Sequence, residues 1–217
     1  FSISYLMAQE KIVLFNVNVI DGLNSTVQKD MMVFISNRKI ESIKNIGSKP
    51  KGYKEIDLNG MYILPGFIDA HVHYPQFDVI ASYGTQLIEW LNSYTFPEEA
   101  RFSNKAVADK ASEFFLDELL KNGFTTAAVY CTSHPASVDA FFEASSRRNL
   151  RMIAGKVLMD RNAPDSVSDT AKSGYDQSKT LINKWHGQGR NLYAVTPRFA
   201  PTSSPEQLEL AGVLYQN

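Results

Sequence analysis

The stretch PGFIDAHVHYPQ, residues 65–76, places two of the chain's four histidines, His71 and His73, two positions apart. A short apolar run, Phe67, Ile68 and Ala70, leads into the pair, and Asp69 stands two residues before the first of them. On an extended strand, side chains at i and i+2 project to the same side. His71 and His73 are therefore suited to hold one metal ion at Zn–N distances of roughly 2.0–2.1 Å. A bare H-x-H is also common by chance. Its weight here comes from its place at the end of an apolar strand, because parallel barrels present their strand ends as the working face. Asp69 reads as a strand-end or supporting residue rather than a ligand.

Two textures lie on either side of this stretch. Before it, KIVLFNVNVI (residues 11–20) alternates apolar and polar residues and meets the turn pair Asp21-Gly22. MMVFIS and KIESIKNI follow, and Asn59-Gly60 sits between two further short apolar runs, a strong hairpin signal. Residues 1–65 thus predict a small antiparallel β domain. After Gly66, apolar runs alternate with helical patterns. The spacing of Val107, Ala111, Phe114, Phe115 and Leu119 predicts a helix over 106–121, capped by Ser103 or Asn104 and ended by Gly123. Strands are expected at 124–132, 152–159 and 192–196, and helices at 136–148, 174–186 and 205–215, the last with Leu208, Ala211 and Leu214 inward. Strand–helix alternation means parallel strands with crossovers. Residues 66–217 hold four such units, which fit either a small open α/β sheet or the front half of a (β/α)₈ TIM barrel.

Composition narrows the partners. The chain is 44% hydrophobic and 21% charged with a net charge of -1, which argues against a nucleic-acid-binding surface. No apolar run approaches the roughly 20 residues that span a bilayer. The leading FSISYLM lacks a basic flank and a cleavage site, so it is a poor signal peptide, and Met7 reads as a natural start. One cysteine, Cys131, leaves no intrachain disulfide and suits a reducing cytoplasm.

The segment LPGFIDAHVH resembles the first-strand signature of the amidohydrolase superfamily, P-G-x-x-D-x-H-x-H. HVHYPQ, LIEWLNSYTFPEEARF, KNGFTTAAVYCTSHPAS, GKVLMDRNAP and VTPRFAPTSS, in that order over residues 60–205, resemble its guanine-deaminating branch. The resemblance implies a metal-dependent hydrolase: a (β/α)₈ barrel, here about its first four units, preceded by part of a small β-sandwich over residues 1–65. It implies hydrolytic deamination of guanine to xanthine and ammonia, with His71 and His73 ligating one Zn²⁺, although Fe²⁺ suits the same donors. Gln76 would read the purine, Arg198 would donate to it, and Phe199 would offer it a stacking face. It also implies a homodimer.

Several residues stay open. By themselves Gln76 fits a solvated loop, Phe199 a core position and Arg198 a surface charge. His134, just past the second strand, fits a pocket wall or an idle loop histidine. Trp90, Tyr94 and Phe96 fit core or interface packing better than a pocket wall. Lys156, inside the third strand, is read as structural, although two-metal relatives use a carboxylated barrel lysine. The family's third histidine and its proton-shuttling glutamate come within H-x-H-x-x-E, which this sequence lacks. No catalytic acid is therefore assigned within the chain. The shuttle is expected beyond Asn217, and the segment alone is expected to be inactive. Rival readings are another amidohydrolase acting on a different ring, and a truncated, non-catalytic scaffold.

Overall fold

The structure, a computed structural model, describes residues 11–48 and 50–216; the leader considered above lies outside the described residues. The chain divides into two compact units, Phe1–Pro65 and Gly66–Asn217.

The first unit is one five-stranded sheet. Strands β1 (Ile12–Val19), β2 (Gln28–Ser36) and β3 (Lys39–Asn45) pair antiparallel in the order β3-β2-β1. The two-residue link Asn37-Arg38 takes φ of 55° and 60°, the left-handed geometry that a tight hairpin demands. Alternation sorts β2, with Met31 and Val33 in one buried cluster and Met32 and Phe34 in another. A bulge between Leu14 and Val17 of β1 sends Val13 to the second cluster and Val17 and Val19 to the first. The expected hairpin at Asn59-Gly60 does not form. Strands β4 (Lys54–Asp57) and β5 (Tyr62–Ile63) both run parallel to β1, so the sheet is mixed rather than antiparallel. Asn59-Gly60 turns with positive φ, yet its backbone and neighbours are tied to β1. Gly60 N–H donates to Asn16 O at 2.7 Å, and the Asn18 side chain donates to Gly60 O at 2.7 Å. The turn is a kink in a strand that continues in the same direction.

In the second unit, β6 (Phe67–His73), β7 (Phe124–Tyr130), β8 (Arg151–Gly155) and β10 (Leu192–Tyr193) pair in parallel, in the spatial order β10-β8-β7-β6. Beyond short breaks, β9 (Val157–Leu158) and β11 (Thr196–Pro197) continue the same pairing. Each new strand joins the side its predecessor left free, without the reversal of a doubly wound sheet. Helices α3 (Lys105–Lys121), α4 (Pro135–Arg148), α5 (Ala171–Trp185) and α6 (Pro205–Gln216) pack on one another in turn. This is the construction of the first four units of a (β/α)₈ barrel.

Details depart from the periodicity. Asn104 caps α3 by accepting from Ala106 N–H at 2.9 Å, but Phe114 lies outside the buried stripe and packs edge-on against Phe77. α5 starts before Gly174, because Thr170 and Ser173 form a reciprocal capping box. In α6, Leu208 faces outward and Gln207 is buried, set against the bare surface of Gly174 on α5. The expected strand 152–159 breaks at Lys156. The buried ammonium of Lys156 pairs with Asp169, and its backbone N–H donates to the Tyr193 hydroxyl at 3.1 Å. The long connection after β6 winds into short helices, including α1 (Leu87–Trp90) and α2 (Phe96–Ala100). Tyr74, Phe102, Phe115, Phe141 and Phe142 fill the main core.

Two glycines give opposite expectations. A methyl group on Gly155 would lie 1.9 Å from the carbonyl oxygen of Ala194, whereas one on Gly212, in α6, meets nothing within 4 Å. G155A should destabilise by about 1–3 kcal/mol or more through forced strand separation. G212A should stabilise by about 0.5–1 kcal/mol, as alanine does in a helix. Urea midpoints measured at constant slope check both.

Candidate active site

The strand register builds the site. Asp69 pairs with Ala127 and Val72 with Val129, so β6 spends three residues where β7 spends two. The extra residue makes a bulge over Ala70 and His71, and bulges re-aim the side chains beside them. The strand runs through His71 and ends at His73, so the pair closes it, as expected. The His71 backbone N–H donates to Asp69 Oδ1 at 3.0 Å, which assigns Asp69 a local bracing role. The imidazoles of His71 and His73 lie with centroids 5.3 Å apart.

Tyr130, at the end of β7, stands directly opposite His73 in the ladder. The two rings stack with centroids 4.6 Å apart and planes 13° from parallel, and His71 also contacts the phenol ring at 5.1 Å. This contact fixes the plane of the His73 ring. Burial, the nearby Arg198 charge and His71 together pull the His73 pKa down to about 3. His73 is thus neutral at physiological pH, the form that can donate a lone pair to a metal. Its Nδ1 is buried with no hydrogen-bond partner among the described residues. A buried nitrogen left open in this way fits a cation ligand. The fit covers only part of a coordination shell. No group of three or more His, Cys, Asp or Glu side chains able to hold an ion occurs among the described residues, whereas catalytic zinc takes three protein ligands.

The two histidines and Gln76 line an open cleft of about 530 Å³ beside β6, together with Asp69, Val72 and Trp90. Arg198, just after β11, is tied to this group through a residue that sequence reasoning missed. Glu99, in α2, is fully buried. Its Oε1 accepts from Gln76 Nε2 at 3.0 Å and its Oε2 accepts from Arg198 Nη1 at 2.7 Å. The Arg198 guanidinium also lies 5.3 Å from the centre of the Phe96 ring. Nothing local marks Glu99, since Glu98 beside it makes an ordinary surface pair with Arg101. Tyr130 carries no local mark either, because its role depends on register.

The remaining candidates lie apart. Phe199 packs against the cluster of Leu91, Phe96, Val157 and Met159, and it borders a small cavity of about 60 Å³. His134 lines a different, polar cavity of about 430 Å³ with Ser133, Asp165 and Asp169. The crossover from the second strand into α4 turns it away from the histidine pair. Burial and the nearby Lys156 charge lower its pKa. Lys156 itself is committed to Asp169. Phe96 is core, while Trp90 borders the cleft. No helix of the described residues is long and apolar enough to cross a membrane.

Comparison with known proteins identifies the family and the fold. Residues 62–212 match the amidohydrolase family. Guanine deaminase of Escherichia coli is 60% identical over 155 residues, which make up 71% of this chain and 35% of that protein. A probable guanine deaminase of Deinococcus radiodurans is 44% identical over 158 residues, 73% of this chain and 36% of its own length. The solved E. coli guanine deaminase superposes with a TM-score of 0.85, at 44% identity over that wider span, covering 95% of this chain and 50% of that one. Guanine deaminase from C. acetobutylicum, solved with guanine bound in its active site, superposes with a TM-score of 0.85 at 31% identity, covering 95% and 51%. The chain thus spans between a third and a half of the length of these relatives.

The depressed His73 pKa has a consequence for the metal-free protein. In the unfolded chain this imidazole takes a proton near pH ~6.5, whereas in the folded chain it stays neutral until about pH 3. Its contribution to stability is full above pH ~6.5 and is lost as pH falls toward 3. H73Q, with metal removed by chelator, should therefore show a flatter decline of unfolding free energy between pH 6.5 and 4. Identical acid slopes for the two proteins would remove the assignment.

Proposed function

The chain belongs to the amidohydrolase family, and from that premise we propose that it serves the zinc-dependent hydrolytic deamination of guanine to xanthine and ammonia. The observation that carries this reading is the imidazole pair His71 and His73 on one cleft with Gln76, which shares a common buried carboxylate with Arg198. The family is metal-dependent, and His71 and His73 are the residues that would hold the ion. Bound there, a divalent cation lowers the pKa of water toward neutrality and so supplies a nucleophile at physiological pH.

The chain's own side chains account for binding and orientation. Tyr130 holds the plane of His73, and burial keeps that imidazole unprotonated. Gln76 offers a purine edge both donor and acceptor capacity, and Arg198 offers fixed donors to a ring oxygen or nitrogen. Phe199 is packed on Leu91 and Phe96 and supports the Phe96 ring on which the Arg198 guanidinium lies. Proton delivery to the leaving amine calls for a carboxylic acid. Both oxygens of Glu99 are engaged, and Asp69 accepts from the His71 amide, so none of the described carboxylates is assigned that step. The same reading includes one zinc ion per site, a cytoplasmic setting and a homodimer. Engagement of Lys156 by Asp169 supports a single ion over a lysine-bridged pair.

In the full-length protein, the double substitution H71A/H73A should abolish stoichiometric zinc and reduce xanthine formation to background. Elemental analysis and ultraviolet absorbance of the product read the two effects. Wild-type metal content with undiminished xanthine formation would defeat the proposal. Q76A, with the ligands intact, should raise KM for guanine about tenfold, as loss of one good polar contact does.

A further inference from the structure

We infer that Glu99 is the positioning residue that sets the hydrogen-bonding polarity of the purine subsite, by locking the Gln76 carboxamide in one orientation and the Arg198 guanidinium in one place. This inference rests on the reading of Gln76 and Arg198 as substrate contacts.

The argument starts from what a carboxylate can do. Ionised, it only accepts hydrogen bonds, whereas a carboxamide has one end that donates and one that accepts. Opposite Glu99 Oε1, therefore, the Gln76 amide must present its nitrogen, and the contact runs from Nε2 to Oε1 at 3.0 Å. The flip that would be free in a solvated glutamine is decided by its neighbour. The carbonyl Oε1 of Gln76 then remains without a donor among the described residues, on a side chain that borders the histidine cleft. The Arg198 guanidinium spends one N–H on Glu99 Oε2 at 2.7 Å and lies against the Phe96 ring. Its fixed fork leaves other donors in place.

The result is a fixed acceptor from Gln76 set beside fixed donors from Arg198. Such a pair complements a ring edge that carries an N–H next to an acceptor atom, as a lactam does. Glu99 suits this task because it is held still. Its side chain is 1% exposed and that of Arg198 is 6% exposed, and both carboxylate oxygens are used. A group that only filled space at this position would not need a charge, since buried ion pairs are commonly matched or bettered by apolar packing. Glu99 touches no reacting atom in this scheme. It acts through the two residues that do the reading.

The experiment compares E99Q and E99D with wild type in the full-length protein, alongside Q76A and R198A. E99Q keeps the shape but loses the charge, and its single acceptor oxygen can serve Gln76 or Arg198 but not both. KM for guanine should rise about tenfold or more, while kcat changes less than about threefold and bound zinc stays at the wild-type level. The Kd for xanthine, titrated into zinc-free protein, should rise in step with KM. E99D retains the charge on a shorter arm and should fall between the two; it also serves if E99Q does not fold. In the Q76A background, E99Q should add less than it does alone. Wild-type KM and Kd in E99Q or E99D, accompanied only by a lowered Tm, would overturn the inference and leave Glu99 a structural pair. Unchanged KM in Q76A and R198A would instead overturn the underlying reading of the subsite.

Discussion

A carboxylate and a guanidinium 99 positions apart in sequence meet in the second unit, almost entirely out of water. Taking either charge alone into the interior would cost several kcal/mol. Once Glu99 is buried, Arg198 must be brought to it, and Gln76 occupies the oxygen that remains. The connection after β6 is thereby drawn against the segment that follows β11. The apolar contacts of Leu91 and Phe96 in one cluster and of Phe102 in the main core hold the same connection. This polar link joins the first and fourth βα units, whose strands stand at opposite edges of the sheet.

The parallel ladder supplies the frame in which that link is possible. Strands added in sequence order carry the ends of β6, β7, β9 and β11 toward the same side. The bulge in β6 and the break at Lys156 are the local adjustments that make this frame useful. One aims the histidine pair, and the other sinks an ammonium onto Asp169. Desolvation pulls the Lys156 pKa down and the Asp169 pKa up, against their mutual attraction. The pair is a restraint on the third unit whose cost is offset by its closeness.

What the sequence disclosed follows from the range of the interactions involved. Helices α3 to α6 were readable because apolar spacing and caps such as Asn104 and Pro205 act within a few residues. The histidine pair was readable for the same reason. Asn59-Gly60 misled because its local geometry is that of a tight turn, while the direction of the strand after it is decided by Asn16 and Asn18, more than 40 positions away. Leu208 and Gln207 exchanged roles because the small face of Gly174 on a neighbouring helix admits an amide. Glu99 and Tyr130 were invisible. One depends on partners from distant units, the other on strand register.

Electrostatics ties these pieces together. A bare guanidinium beside His71 and His73 would oppose any divalent cation there, and at short range in a partly dehydrated site such repulsion amounts to several kcal/mol. Arg198 does act on His73, since its charge helps to hold that imidazole neutral. Glu99 supplies the opposite charge at hydrogen-bond distance from Arg198. The field of the pair then falls off as that of a dipole, faster than the field of a lone charge. The guanidinium keeps its directional donors while Glu99 offsets part of its repulsion toward an ion. Under the proposed reading, one buried carboxylate thereby reconciles two demands that conflict here, a cation-tolerant pair of imidazoles and a strong donor for a neighbouring ring.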